Sequence, residues 1–174
     1  MNLLSAGYRV VERPVPADGM DSGFRRDDLV SMSECVATVL EDDWFRDLGQ
    51  AQRRAAETGM QVIEVGFAAD EAEPIVRELH STHVVAGRIA EGVAPSGELL
   101  GFELVGQDCG LWHTWACLGG LADDVHGATG ITPGRYGLIH DQDAAHIAAR
   151  WLTASGLGDP KVFHWAAAGI YVPG

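Results

Sequence analysis

The sequence predicts a single α+β domain in which about five short strands form a mixed sheet packed with about five helices. Three observations lead there. A chain of 174 residues is the size of one ordinary globular core. With 47% hydrophobic and 21% charged residues it can fill that core, and it offers no run of about 18 apolar residues to cross a bilayer. Short β-branched segments then alternate with segments whose apolar residues return every three or four positions.

Taken in order, Tyr8–Arg13 reads as a first strand that stops at Pro14 and Pro16, and 14–28 reads as an irregular, mobile loop. Asp27 or Asp28 can cap a helix from Leu29 toward Leu40. Glu41, Asp42 and Asp43 then place carboxylates at the N-terminus of a second helix, where the dipole favours them. That helix has Trp44, Leu48, Ala51 and Ala55 on one face and stops at Gly59. Gln61–Ala68 is a buried strand, followed by a helix over Asp70–His80 with Pro74 in its first turn. Val84 and Val85 look strand-like, and Glu91–Glu98 is a loop.

Leu99–Gly106 is a strand, and Leu111–Asp123 a helix with Leu111, Trp115, Leu118 and Ala122 on its face. Val125–Arg135 is a glycine-rich turn and Tyr136–His140 a short strand. Asp141 caps a helix over Asp143–Thr153 with Ala144, Ile147, Ala148, Trp151 and Leu152 inward. Val162–Val172 is a terminal strand with an Ala-rich middle.

The net charge of −13 repels nucleic-acid phosphates and anionic lipid and speeds encounter with a basic protein. It also serves solubility alone in many proteins. The opening MNLLSAGYRVVERP has neither a basic leader nor a long apolar segment, so the cytoplasm is the expected compartment. Cys35, Cys109 and Cys117 are odd in number and irregular in spacing, and reduced thiols are expected.

Cys109, His113 and Cys117 stand at i, i+4 and i+8, which on a continuous helix stacks them along one stripe and lets neighbours share a metal. A zinc site there needs further ligands, from His126, His140, His146 or His164, and lacks the usual C-x-x-C pairs. Cys109 or Cys117 as a nucleophile, with His113 as base and Asp108 orienting it, is the corresponding catalytic reading. Buried thiols and a hydrogen-bonded histidine account for the same residues without chemistry. His140, Asp141, Gln142, Asp143 and His146 form a polar cluster that capping explains. Gly127–Gly137 lacks a phosphate-loop pattern. No cofactor is expected.

Among the five tryptophans, Trp112 falls off the Leu111–Trp115 stripe and becomes a candidate contact residue, as exposed aromatics often anchor interfaces. The packed alternative places it at the core edge.

The run Gly101-Phe102-Glu103-Leu104-Val105-Gly106, with Asp108 and then Trp112-His113-Thr114-Trp115-Ala116-Cys117-Leu118, resembles a loosely defined group of small bacterial proteins in which such a strand leads into an FHSW-L-C helix start. The resemblance extends over roughly the last 80 residues, through Tyr136–Ile139, the helix after Asp141 and the strand around Trp165. Thr114 stands where the group has Ser, and Ala116 where it has a larger apolar residue. Some members look like immunity proteins of toxin systems, and the resemblance therefore implies a cytoplasmic protein that neutralises a cognate toxin by binding it and occluding its active site. The residues expected to meet such a basic partner are Glu41, Asp42, Asp43, Asp70, Glu71, Glu73, Trp112, Asp123 and Asp124. The alternative is a small enzyme or metal-binding protein using Asp108, Cys109, His113 and Cys117.

Overall fold

The computed structural model describes residues 2–12, 29–34, 39–79, 83–108, 111–117, 120–157, 162 and 164–174, with backbone alone at 39–43. The elements are β1 (Leu3–Val11), β2 (Val39–Phe45), α1 (Leu48–Thr58), β3 (Gln61–Ala68), α2 (Ala69–Glu78), α3 (Val84–Glu91), β4 (Glu98–Asp108), β5 (Leu111–Thr114), α4 (Leu121–Thr129), α5 (Gln142–Ser155) and β6 (Trp165–Val172). The six strands form one sheet in the order β2-β1-β3-β6-β4-β5. The fold class is therefore the expected α+β domain, but every pairing is antiparallel rather than mixed.

Side-chain alternation along the strands divides the core in two. One face carries Val11, Trp44, Ile63, Val65, Phe67, Val105, Trp112, Ala166, Ala168 and Ile170, and is covered by Val30 and Met32 together with Ala72 and Ile75 of α2. On the other face Phe102, Leu104, Trp165 and Ala167 meet α4 and α5, while Tyr8 and Val10 meet Ala51 and Ala55 of α1. The Ala-rich stretch of β6 lies at the middle of the sheet with Ala166, Ala167 and Ala168 fully buried. Its small side chains let α5, which presents Ala145, Ala148 and Ala149, approach closely.

Six expectations fail. Residues 29–34 are not helical, with a bend at Met32 and a turn at Glu34; Arg9 and Glu103 take up the Met32 carbonyl and N–H that a helix would pair internally, and Ser33 Oγ donates to the Trp112 carbonyl. Glu41, Asp42 and Asp43 lie within strand β2, and the helix begins only after Asp47, whose Oδ1 accepts from the Gln50 N–H at 3.0 Å. Leu111–Thr114 is a strand with Trp112 and Thr114 inward, so period two wins over the helical spacing of Leu111, Trp115, Leu118 and Ala122; the helix starts at Leu121 and runs through the expected turn to Thr129. Val84 and Val85 open helix α3, where His83 Nδ1 accepts from the Val85 N–H. Of the expected strand over Tyr136–His140, one bridge from Ile139 to Phe102 remains, after a short 3-10 turn at Arg135–Gly137. Pro74 lies inside α2, beyond its first turn. The loop expected at 14–28 is outside the described residues.

Gly97 marks a close approach, because a Cβ there would stand 2.3 Å from the Val172 carbonyl oxygen just before Glu98 pairs with Val172. Gly127, in α4, faces no atom within 4 Å. Gly97→Ala should cost about 1–3 kcal/mol, and Gly127→Ala should gain about 0.5–1 kcal/mol, both read from urea unfolding; equal effects of the two substitutions would contradict this packing.

Candidate functional site

Four of the expected contact carboxylates are on the surface: Asp70 and Glu73 on α2, and Asp123 and Asp124 in the first turn of α4. Asp141 and Asp143 at the start of α5 are exposed as well, and α4 packs against α5. Glu73 pairs with Arg77 at 2.9 Å. Asp123, Asp124 and Asp143 have no ion-pair partner among the described residues. The side chains of Glu41, Asp42 and Asp43 lie outside the description.

Two expected contact residues are interior. Trp112 is 1% exposed, because it stacks on Phe67 with centroids 6.0 Å apart and tilts against Trp44 at 5.6 Å. Glu71 is 7% exposed, and its position follows from the path of the chain. Strand β3 pairs with β6 only as far as Gly66 opposite Gly169, then turns into α2 at Ala69. This leaves the Ala167 N–H without a strand partner on that side, and Glu71 Oε2 accepts from it at 2.9 Å. The Nδ1 of His146, on α5, donates to Glu71 Oε1 at 2.6 Å. One carboxylate thus ties α2, β6 and α5 together.

A second buried cluster holds residues 29–34. Glu103 Oε1 accepts from Ser31 Oγ at 2.5 Å and Oε2 from the Met32 N–H at 2.9 Å. Arg9, fully buried, donates to the Met32 carbonyl at 2.6 Å and to Glu34 at 2.7 Å, with its guanidinium 4.9 Å from the Trp44 ring centroid. Glu34 also accepts from the Trp112 N–H, and Ser33 Oγ donates to the Trp112 carbonyl. Desolvation pushes the Glu103 carboxyl up to about 7 despite those hydrogen bonds. A third carboxylate, Glu64, is 1% exposed and accepts from Ser5 Oγ at 2.6 Å and the Ser96 N–H at 2.9 Å. Burial raises the phenols of Tyr8 and Tyr171, and Glu64 adds to both shifts. The signal for Glu64 and Glu103 was in the sequence: each is an acid inside an apolar strand, in QVIEVGFA and GFELVG.

The Cys109, His113 and Cys117 stripe does not form. His113 lies on β5 and Cys117 in the turn after it, so no helix aligns them, and Cys109 is outside the described residues. Among the described residues no three His, Cys, Asp or Glu side chains are grouped to hold a metal ion. Of the other histidines, His126 and His140 are exposed and His146 is bound to Glu71. Asp141 caps α5, its Oδ1 accepting from the Ala144 N–H at 2.7 Å. No helix among the described residues is long and apolar enough to cross a membrane. Compared with known proteins, the chain matches no family model, no curated protein and no solved structure.

The two clusters make separable predictions. Because the folded carboxyl of Glu103 holds its proton to a higher pH than the unfolded one, stability is greatest below the ordinary carboxylate range and is lost as pH rises through about 7. The difference is about 3 kcal/mol at 1.36 kcal/mol per unit, and Glu103→Gln, which keeps an acceptor for the Met32 N–H, should remove it. Chemical denaturation of both proteins at pH values from about 4 to 8 tests this, and parallel curves would refute it. Glu71→Ala should cost about 2–5 kcal/mol by stranding the Ala167 N–H and His146, against less than about 0.5 kcal/mol for the exposed Asp70→Ala; a Glu71 effect as small as that of Asp70 would remove its structural role.

Proposed function

We propose that this protein is an acidic binding module that docks on a basic protein partner, acting as an immunity protein that neutralises a toxin by covering its active site. The observation that carries the reading is the set of uncompensated carboxylates on two packed helices: Asp123 and Asp124 at the start of α4 and Asp143 at the start of α5. Exposed Arg46, Arg54 and Arg77 are drawn into local pairs with Glu91, Glu57 and Glu73, and the exposed Arg150 lies two turns beyond Asp143 along α5. The N-terminal ends of α4 and α5 therefore keep their negative charge for an external cation. Ile147, 49% exposed on α5, offers an apolar contact beside it. The resemblance of Gly101–Gly106 and Trp112–Leu118 to a group of small bacterial proteins, some of which look like immunity proteins, suggests the kind of partner, a bacterial toxin domain, and the charge supplies the means of fast association. Trp112 and Glu71 are excluded from the docking residues by their burial.

Affinity capture from the native cell lysate at low and high salt, followed by mass spectrometry and rate measurements, tests the proposal. The expected result is one stoichiometric basic partner released by salt, with the association rate falling at least about tenfold when Asp123, Asp124 and Asp143 are replaced by Lys. Capture of no partner, or of one indifferent both to salt and to that triple replacement, would overturn it.

A further inference from the structure

Residues 29–34 belong to no helix and no strand, yet Val30 and Met32 are part of the core on one face of the sheet. Each residue from Val30 to Glu34 is held from elsewhere in the fold. The Val30 N–H donates to the Tyr136 carbonyl at 3.2 Å, and Tyr136 is the non-glycine residue at φ 61°, a costly conformation for a residue with a side chain. Ser31 and the Met32 N–H bond to Glu103, the Met32 carbonyl and Glu34 to Arg9, and Ser33 and Glu34 to the backbone of Trp112. Most of these anchors are side chains rather than a backbone ladder, and such a segment opens at a lower free energy than the strands beside it.

The charges at the anchors do not balance. Arg9 of β1 is engaged by Glu34 at 2.7 Å, whereas no cation lies within 4 Å of the buried Glu103 among the described residues. The other elements packed on this side add no compensating charge to it. The segment itself brings Ser31, β5 brings Thr114, β6 sets Ala168 opposite Glu103, α2 brings Ala72 and Ile75, and the turn at Arg135–Gly137 brings Tyr136, with Arg135 stacked on its ring. With Arg9, Glu34 and Glu103 all ionised the enclosure carries an excess negative charge, and with a proton on Glu103 it is neutral. Burying an uncompensated carboxylate is costly, and desolvation accordingly raises the Glu103 carboxyl to about 7.

We infer that residues 29–34 form a strap that opens before the rest of the fold, with Glu103 as its latch: protonated, Glu103 holds the strap closed, and on losing its proton to solvent it gains water by releasing Ser31 and Met32. Opening lifts Val30 and Met32 from the core. It also frees the Trp112 N–H and carbonyl, which Glu34 and Ser33 cap in the closed state, so edge strand β5 gains a bare outer border able to pair with an extended chain. The strap uses none of Asp123, Asp124 and Asp143, and this inference and the docking proposal stand or fall separately.

The test is amide hydrogen exchange of the full chain, followed by NMR between about pH 5 and 8 and corrected for intrinsic exchange rates. The Met32 and Ser33 amides should exchange through an opening at least about tenfold more frequent than that of the β3 and β6 amides. That opening should become about tenfold more frequent per pH unit up to about 7 and then level off, since one proton is released. Glu103→Gln, which stays neutral, should abolish the pH dependence. In the unsubstituted protein the carbon-13 shift of the Glu103 carboxyl should titrate in step with the opening. Strap amides as protected as those of β3 and β6, a pH dependence that survives in Glu103→Gln, or a Glu103 carboxyl ionised over the whole range would each overturn the inference.

Discussion

Four carboxylates satisfy backbone N–H groups that no neighbouring strand reaches, and the architecture depends on them. Glu71 takes the Ala167 N–H where β3 leaves the sheet, Glu34 the Trp112 N–H on edge strand β5, Glu64 the Ser96 N–H in the loop before β4, and Glu103 the Met32 N–H of the segment crossing the sheet. Each such group would otherwise be a dry donor in or near the core, at a cost comparable to a lost hydrogen bond. A carboxylate suits the task because it accepts at two oxygens. Three of the four use the second oxygen to hold another element, through His146, Arg9 or Ser5, and Glu103 uses its own to grip Ser31 beside Met32.

This changes what the negative charge means. The formal charge of −13 counts Glu64, Glu71 and Glu103, which are nearly or wholly enclosed and contribute little to the field outside. Glu103 in particular has its carboxyl raised to about 7 by desolvation. The external field comes instead from exposed acids, among them Asp123, Asp124, Asp141 and Asp143, which the dipoles of α4 and α5 stabilise. Acidity in this protein therefore falls into two separate sets, buried carboxylates that staple elements together and exposed ones at helix ends.

Elements governed by local rules were legible in the sequence. Gln61–Ala68, the helix ending at Gly59 and the helix capped by Asp141 are found within a few residues of their expected places, because alternation, caps and left-handed glycine act over short distances. Elements set by distant partners were not. LWHT carries too few residues for period two to outvote a helical spacing that continues beyond it, and what makes it a strand is its pairing with Val105–Asp108. Residues 29–34 contain nothing that announces a non-helical path, since their conformation is held by Arg9 and Glu103. At the surface, Asp70, Glu73, Asp123 and Asp124 were readable as exposed acids, whereas Glu71 was not separable from them: its burial depends on where β3 stops pairing with β6.

The place of β6 has a consequence for synthesis. It is the last strand of the sheet to be translated, yet it separates β3 from β4, so the ribbon β2-β1-β3 and the hairpin β4-β5 share no strand pairing until it arrives. A nascent chain halted before Trp165 would expose the inner edges of both pieces, with β3 and β4 offering unpaired apolar borders to any neighbouring polypeptide. The small side chains of Ala166, Ala167, Ala168 and Gly169 then suit a strand that must slide into a slot already walled on both sides. Until Trp165–Val172 pairs on both sides, the sheet is two separate pieces with the edges of β3 and β4 open.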